Sequence, residues 1–261
     1  MMGRSLIITR AGIYHTVFLS AALALLFVLP LLLTVSNSFM SEGEIKNNYG
    51  AILSGAESPG AAVDRYANLK FIPDMVTIKQ YYRVLIKESQ YLLMFWNSVF
   101  MVATIMAGQI LIASMASFAF AKIDFPWREQ LFFVYILVML MPFQVTLVPN
   151  YLVADWLQLI DKAGSIIFPG IFSAFGVFLL RQFMVSIPNQ YIEAARIDGA
   201  GYFTIFWRII MPMSKNAIAA LAILVFMDNW NMVEQPLIFL QTASKQPLSL
   251  FLSQVNLMDM A

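Results

Sequence analysis

Two groups of residues have the types and spacing to do chemistry. The first is Asp228, Trp230, Asn231, Glu234 and Gln235. On one continuous helix Asp228, Asn231 and Gln235 fall at i, i+3 and i+7 and share a face, while Trp230 and Glu234, four apart, share a neighbouring one. Amide and carboxylate groups hydrogen-bond hydroxyl-bearing solutes, and an aromatic face offers an apolar packing surface. A charge inside a membrane costs at least about 2.5–3.5 kcal/mol, so these residues are expected to face a cavity or a partner. Lining a solute pathway is one reading. Contact with neighbouring helices or a soluble partner at the outer interface is the other.

The second group lies in the stretch IPNQYIEAARIDGAGYFTIFWRIIMP, residues 187–212. It reads as two short helices joined by a turn. Asn189 is placed as the N-cap. Tyr191, Ile192 and Ala195, with Ala194 beside them, give an apolar face at helical spacing. Asp198-Gly199 is a stop signal, with Gly199 free to take positive φ. A second amphipathic stretch follows from Tyr202 to Met211, and Pro212 ends it or opens the next helix. Small alanines flanked by Glu193, Arg196 and Asp198 suit a helix that plugs into a partner's groove. An amphipathic helix lying on lipid is the alternative, and the residues alone leave both open.

Other chemistries lack their residues. The chain has no cysteine and a single histidine, so thiolate and zinc sites have no ligands. His15, in an apolar run, reads as packed or interfacial. There is no Gly-rich phosphate-binding loop ending in Gly-Lys-Ser/Thr, and no nucleophile–base or paired-carboxylate constellation. No metal or organic cofactor is expected. A formal net charge of +1 gives no basic field for nucleic acid.

These residues must be positioned by membrane helices. The chain has 261 residues, 60% of them hydrophobic and 12% charged. A soluble domain carries about 25% charged residues, so lipid must supply much of the solvent. Four charge-free stretches place spans near 12–36, 91–120, 130–153 and 163–182, and a fifth, charge-bearing, is placed near 214–238, in a single transmembrane domain over 1–261. Residues 13–35 are too long for a signal-peptide core and have no cleavage site after them. The fifth span must carry Asp228 into the membrane. Arg4 and Arg10, Lys122 and Arg128, and Arg181, Arg196, Arg208 and Lys215 fall on one side, against Lys162 and Lys245 on the other. The N-terminus is therefore expected in the cytoplasm. Residues 40–90 form an external loop, with turn residues Gly55, Ser58, Pro59 and Gly60. Residues 183–213 form a cytoplasmic one. Pro30, Pro142, Pro149, Pro169 and Pro236 are expected kinks, and Gly108, Ala113, Ser114, Ala116 and Ser117 suit close helix contact. Arg181-Gln182 marks an interface. The final stretch from Leu248, which includes Asp259, is too short for a further crossing.

The cytoplasmic stretch resembles the EAA motif of bacterial ABC importer permeases. Glu193-Ala194-Ala195, Gly199 and Ile209-Ile210-Met211-Pro212 keep every spacing of that motif, with Met211 where the family has Leu. FGVFLLRQFMVSIPNQYIEAARIDGAG, TIKQYYRVL, SFAFAKIDFPWR and NWNMVEQPLIFL are similar to its carbohydrate-uptake, MalG-like branch. The resemblance implies an all-α polytopic helical bundle in a bacterial inner membrane, with a sixth span in addition to the five read here. It implies a permease subunit of an ATP-driven carbohydrate importer. Glu193, Ala194, Ala195, Arg196, Asp198, Gly199, Ile209 and Pro212 would couple to a separate ATP-binding cassette subunit. A second homologous permease and an extracytoplasmic sugar-binding protein are the further implied partners. An ion-gradient-driven transporter of small polar solutes is the alternative, although no inverted repeat is visible.

Overall fold

The computed structural model describes residues 10–53, 69–87 and 89–258, and all regular structure among them is helical. Arg4, the turn residues Gly55 to Gly60, Asp259 and Ala261 lie outside the described residues. The chain divides into two compact units, Met1–Glu88 and Ser89–Ala261.

In the first unit, α1 (Arg10–Asn37) carries Pro30 within it. Tyr14, Phe18, Leu25 and Phe27 are all more than two-thirds exposed, as on a helix whose solvent is lipid. His15 is exposed rather than packed. The expected external loop holds α2 (Glu42–Leu53) and α3 (Lys79–Tyr82), which continues into a π turn. The Thr77 N–H donates to the Phe39 carbonyl at 2.9 Å, and the Asp74 N–H to Glu44 at 2.8 Å, so the loop folds back on the end of α1.

The second unit is built on α4 (Ser89–Lys122). It packs against α7 (Gly164–Ile171) and α8 (Ala174–Val185), and also touches α12 (Lys215–Trp230) and α14 (Leu248–Met258). Small residues set these distances. A Cβ on Gly108 would lie 2.8 Å from Ile171, and one on Gly176 would lie 3.3 Å from the Ala113 Cβ. The buried Ser117 hydroxyl donates to the Val177 carbonyl at 2.8 Å, a polar lock between two apolar helices.

Two expected spans are broken. Residues 130–153 form α5 (Arg128–Met139) and α6 (Phe143–Trp156), bent by 100°. Pro142 is extended there (φ −65°, ψ 144°), and a proline disfavours helix in the residue before it. Residues 163–182 lie within one candidate span, Gly164–Val185, interrupted only at Phe172, after which the Ser173 hydroxyl caps α8 by accepting the Gly176 N–H at 3.3 Å. The span placed at 214–238 stops at Trp230. α13 (Glu234–Phe239) is a separate helix with Pro236 inside it. Among the described residues three helices are long and apolar enough to cross a membrane, and five if each bent pair counts as one span.

Candidate functional site

The EAA stretch folds into α9 (Gln190–Ile197). Ile192 and Ala195 turn into the core, so the exposed surface is Tyr191, Glu193, Ala194, Arg196 and Ile197. Of the expected contact pair, Ala194 is exposed and Ala195 is buried against its own bundle. Tyr191 leaves the expected apolar face. Ile192 and Ala195, three apart, share the inward face of this two-turn helix.

Both ends of α9 are tied. At its end the Gly199 N–H donates to Arg196 at 3.0 Å and the Ala200 N–H to Ala195 at 2.9 Å. That pair of bonds is the Schellman closure, and it places Gly199 at φ +81°. Across this turn the Arg196 guanidinium lies 4.6 Å from the Tyr202 ring centroid and is hydrogen-bonded to its hydroxyl. At the start, Asn189 makes no cap. Its backbone is helical, and its Oδ1 accepts instead from Lys122 Nζ at 2.9 Å. A cleft of about 400 Å³ opens here, lined by residues 185–190 and Glu193.

Beyond Gly199, α10 (Tyr202–Ile205), a π turn (Phe206–Ile210) and α11 (Met211–Met213) run on as one helical rod, bent by 76° from α12. Pro212 has no N–H, and the wider turn before it accommodates the missing bond. Ile205, Phe206 and Ile210 are buried, with Phe206 against Phe118 of α4 at 5.5 Å. Ile209 is half-buried, while Asp198 and Pro212 are exposed.

The proposed pathway face does not form as one helix. Asn231 ends α12, donating its side-chain N–H to the Met227 carbonyl at 2.8 Å. Gln235 and Glu234 belong to α13, so neither the i, i+3, i+7 face nor the Trp230–Glu234 face exists. Sequence spacing misled because a side-chain cap at Asn231 and Pro236 beyond it stop the helix. Asp228, Asn231 and Glu234 are exposed. Trp230 and Gln235 are half-buried, with Trp230 stacked on Phe226 and edge-on to Phe95.

The family profile for the binding-protein-dependent transport system inner membrane component matches residues 109–256, which include the α9 turn and both ends of its ties. The chain belongs to that family. This inner membrane component is 35% identical over 152 residues to the sn-glycerol-3-phosphate transport system permease protein UgpE of Yersinia enterocolitica serotype O:8 / biotype 1B, covering 58% of this chain and 54% of the relative. It thus spans about half the length of that relative. It is 28% identical over 215 residues to the arabinooligosaccharides transport system permease protein AraQ of Halalkalibacterium halodurans, covering 82% and 77% of the two chains. In fold it is similar to a chain in the crystal structure of a bacterial ABC transporter involved in the import of the acidic polysaccharide alginate. The TM-score there is 0.75 at 23% identity, with 97% of this chain and 82% of that one covered.

Sequence reasoning missed three ties in this inner membrane component. Lys122 was only an orientation charge. Arg181, expected as an interface marker, pairs with Glu129 and lies 3.9 Å from the Phe132 ring centroid. Asp161 accepts from the Gln241 and Thr242 N–H groups at 3.1 and 2.9 Å, and from Lys245 Nζ at 2.5 Å. Its positive φ of 60° is the sort of backbone Asp tolerates, but nothing in the sequence marks the partner 84 residues away.

Proposed function

We propose that this chain is the permease subunit of an ATP-driven carbohydrate importer, forming half of the translocation pathway. The observation that carries the reading is α9: a short helix fixed at both ends, with a charged and small-residue surface left bare. Such a surface suits a groove on a separate ATPase subunit. Closure of two such subunits around ATP moves α9 as a rigid body, and the attached helices rock the cavity between inward and outward access. The N-terminus lies in the cytoplasm, a second homologous permease completes the pathway, and an extracytoplasmic binding protein delivers the solute.

The similar proteins are named for three cargoes, a neutral oligosaccharide, an acidic polysaccharide and a polyol phosphate. The exposed polar groups on α12 and α13 include Asp228 and Glu234. Carboxylates repel a phosphate and hydrogen-bond a neutral hydroxyl-rich solute, which favours the neutral carbohydrate. Reconstitution with the ATPase subunits, the second permease and the binding protein tests the function. Uptake of labelled oligosaccharide should require ATP and stop when the ATPase subunit's phosphate-binding lysine is replaced. Uptake driven by an ion gradient without ATP overturns the assignment, and uptake of glycerol 3-phosphate alone overturns the cargo.

A further inference from the structure

Lys122 is the last residue of α4, and it ends among oxygens of the α8–α9 connection. Its Nζ donates to the Ile187 carbonyl at 2.5 Å and to Asn189 Oδ1 at 2.9 Å, with the Val185 carbonyl at 3.5 Å. An ammonium has three N–H donors and no acceptor, and the end of α8 with the connection after it supplies an oxygen for each. Val185 closes α8, so its carbonyl belongs to the negative end of that helix and favours a cation. Lys122 makes no ion pair with a carboxylate among the described residues. Asn189, one residue before α9, breaks the usual rule for its position by turning its oxygen to Lys122 rather than to its own helix. A local rule broken beside a functional element marks a purpose.

We infer that Lys122 is a positioning residue that fixes the orientation of α9 on α4, so that a push on α9 is delivered to the central helix of the bundle. The inference rests on the reading of α9 as the helix that docks on an ATPase subunit. The alternative route from α9 into the bundle is soft: Ile192 and Ala195 make apolar contact there, which is non-directional. A cation holding three such oxygens sets direction as well as distance. α4 in turn packs on α7, α8, α12 and α14, so its displacement reaches α12 directly and α13 through α7 and α14.

The test uses the assembled transporter in proteoliposomes, with uptake and ATP hydrolysis measured together. Lys122→Met keeps the length of the side chain and removes charge and donors. It should lower solute moved per ATP about tenfold, the factor that one charge-assisted hydrogen bond represents. Lys122→Arg should restore it, because charge and donors return. Ala194→Cys should still crosslink to the ATPase subunit in the Lys122→Met background, since docking persists while transmission fails. Normal coupling in Lys122→Met, with that crosslink present, overturns the positioning role and leaves the reading of α9 intact. Absence of the crosslink with Lys122 in place overturns both. If Lys122→Met does not assemble, Asn189→Ala decides: a several-fold loss of coupling supports the role, and unchanged coupling overturns it.

Discussion

Arg181 holds Glu129 through one guanidinium nitrogen placed 2.9 Å from each carboxylate oxygen. The pair joins α8 to α5, and the same guanidinium covers the Phe132 ring. The Arg181 side chain is 13% exposed and that of Glu129 60% exposed, so solvent screens much of the attraction. A double-mutant cycle of Arg181→Ala and Glu129→Ala, read by denaturant unfolding in detergent, should give a coupling energy of about 0.5–1 kcal/mol. Arg181→Ala should cost more than Glu129→Ala, because it also removes the cation–π contact, worth about 0.5–1 kcal/mol. Equal costs with no coupling would contradict the pairing.

Gly108 sets how closely α4 approaches α7. Gly108→Ala should destabilise the chain by about 1–3 kcal/mol, since its Cβ would sit 2.8 Å from Ile171. Adding Ile171→Ala should recover part of that loss by removing the clashing atoms. Additive losses in the double variant would show that the clash is not the cause.

Gly199 is required for backbone reasons alone. A Cβ there meets nothing within 4 Å, while φ is +81°. A non-glycine residue in that region costs roughly 1–2 kcal/mol, and a β-branched one more. Gly199→Val should therefore lower solute transported per ATP, while Gly199→Asn, which tolerates left-handed backbone, should stay near normal. Full coupled uptake in Gly199→Val would count against the turn.

The Asp161 clamp gives a pH signature. Lys245, then the Thr242 N–H and hydroxyl, hold the Asp161 carboxyl well below the usual carboxylate range. A depressed folded-state value means that the contribution is complete above the unfolded value of about 3.9 and is lost as pH falls through the lower, folded one. The melting-temperature gap between the unaltered chain and Asp161→Asn should be constant from about pH 5 to 8 and shrink below about pH 4. A gap that widens on acidification would reverse the sign and refute the clamp.

The long apolar helices α1 and α4 were legible because lipid solvation needs only composition and length. The α9 turn was legible because Gly199 and its neighbours are local signals. What was lost is what depends on distant partners or on backbone breaks. Pro142 is visible in the sequence, but whether it kinks a span or splits it by 100° depends on the packing around it. The face built from Asp228, Asn231 and Gln235 failed because Asn231 chose its own helix end as partner. Lys122 and Arg181 were read as topology charges and Asp161 carried no reading, since their hydrogen-bond partners lie more than 50 residues away in the chain.

The central claim, that α9 docks on a separate motor chain, is tested most directly by thiol crosslinking. The chain has no cysteine, so each engineered thiol is unique. Ala194 is exposed and Ala195 is 9% exposed. In membranes containing the assembled transporter, Ala194→Cys should join to the nucleotide-hydrolysing chain and Ala195→Cys should not. Adducts from Ala194→Cys to lipid alone would contradict the account.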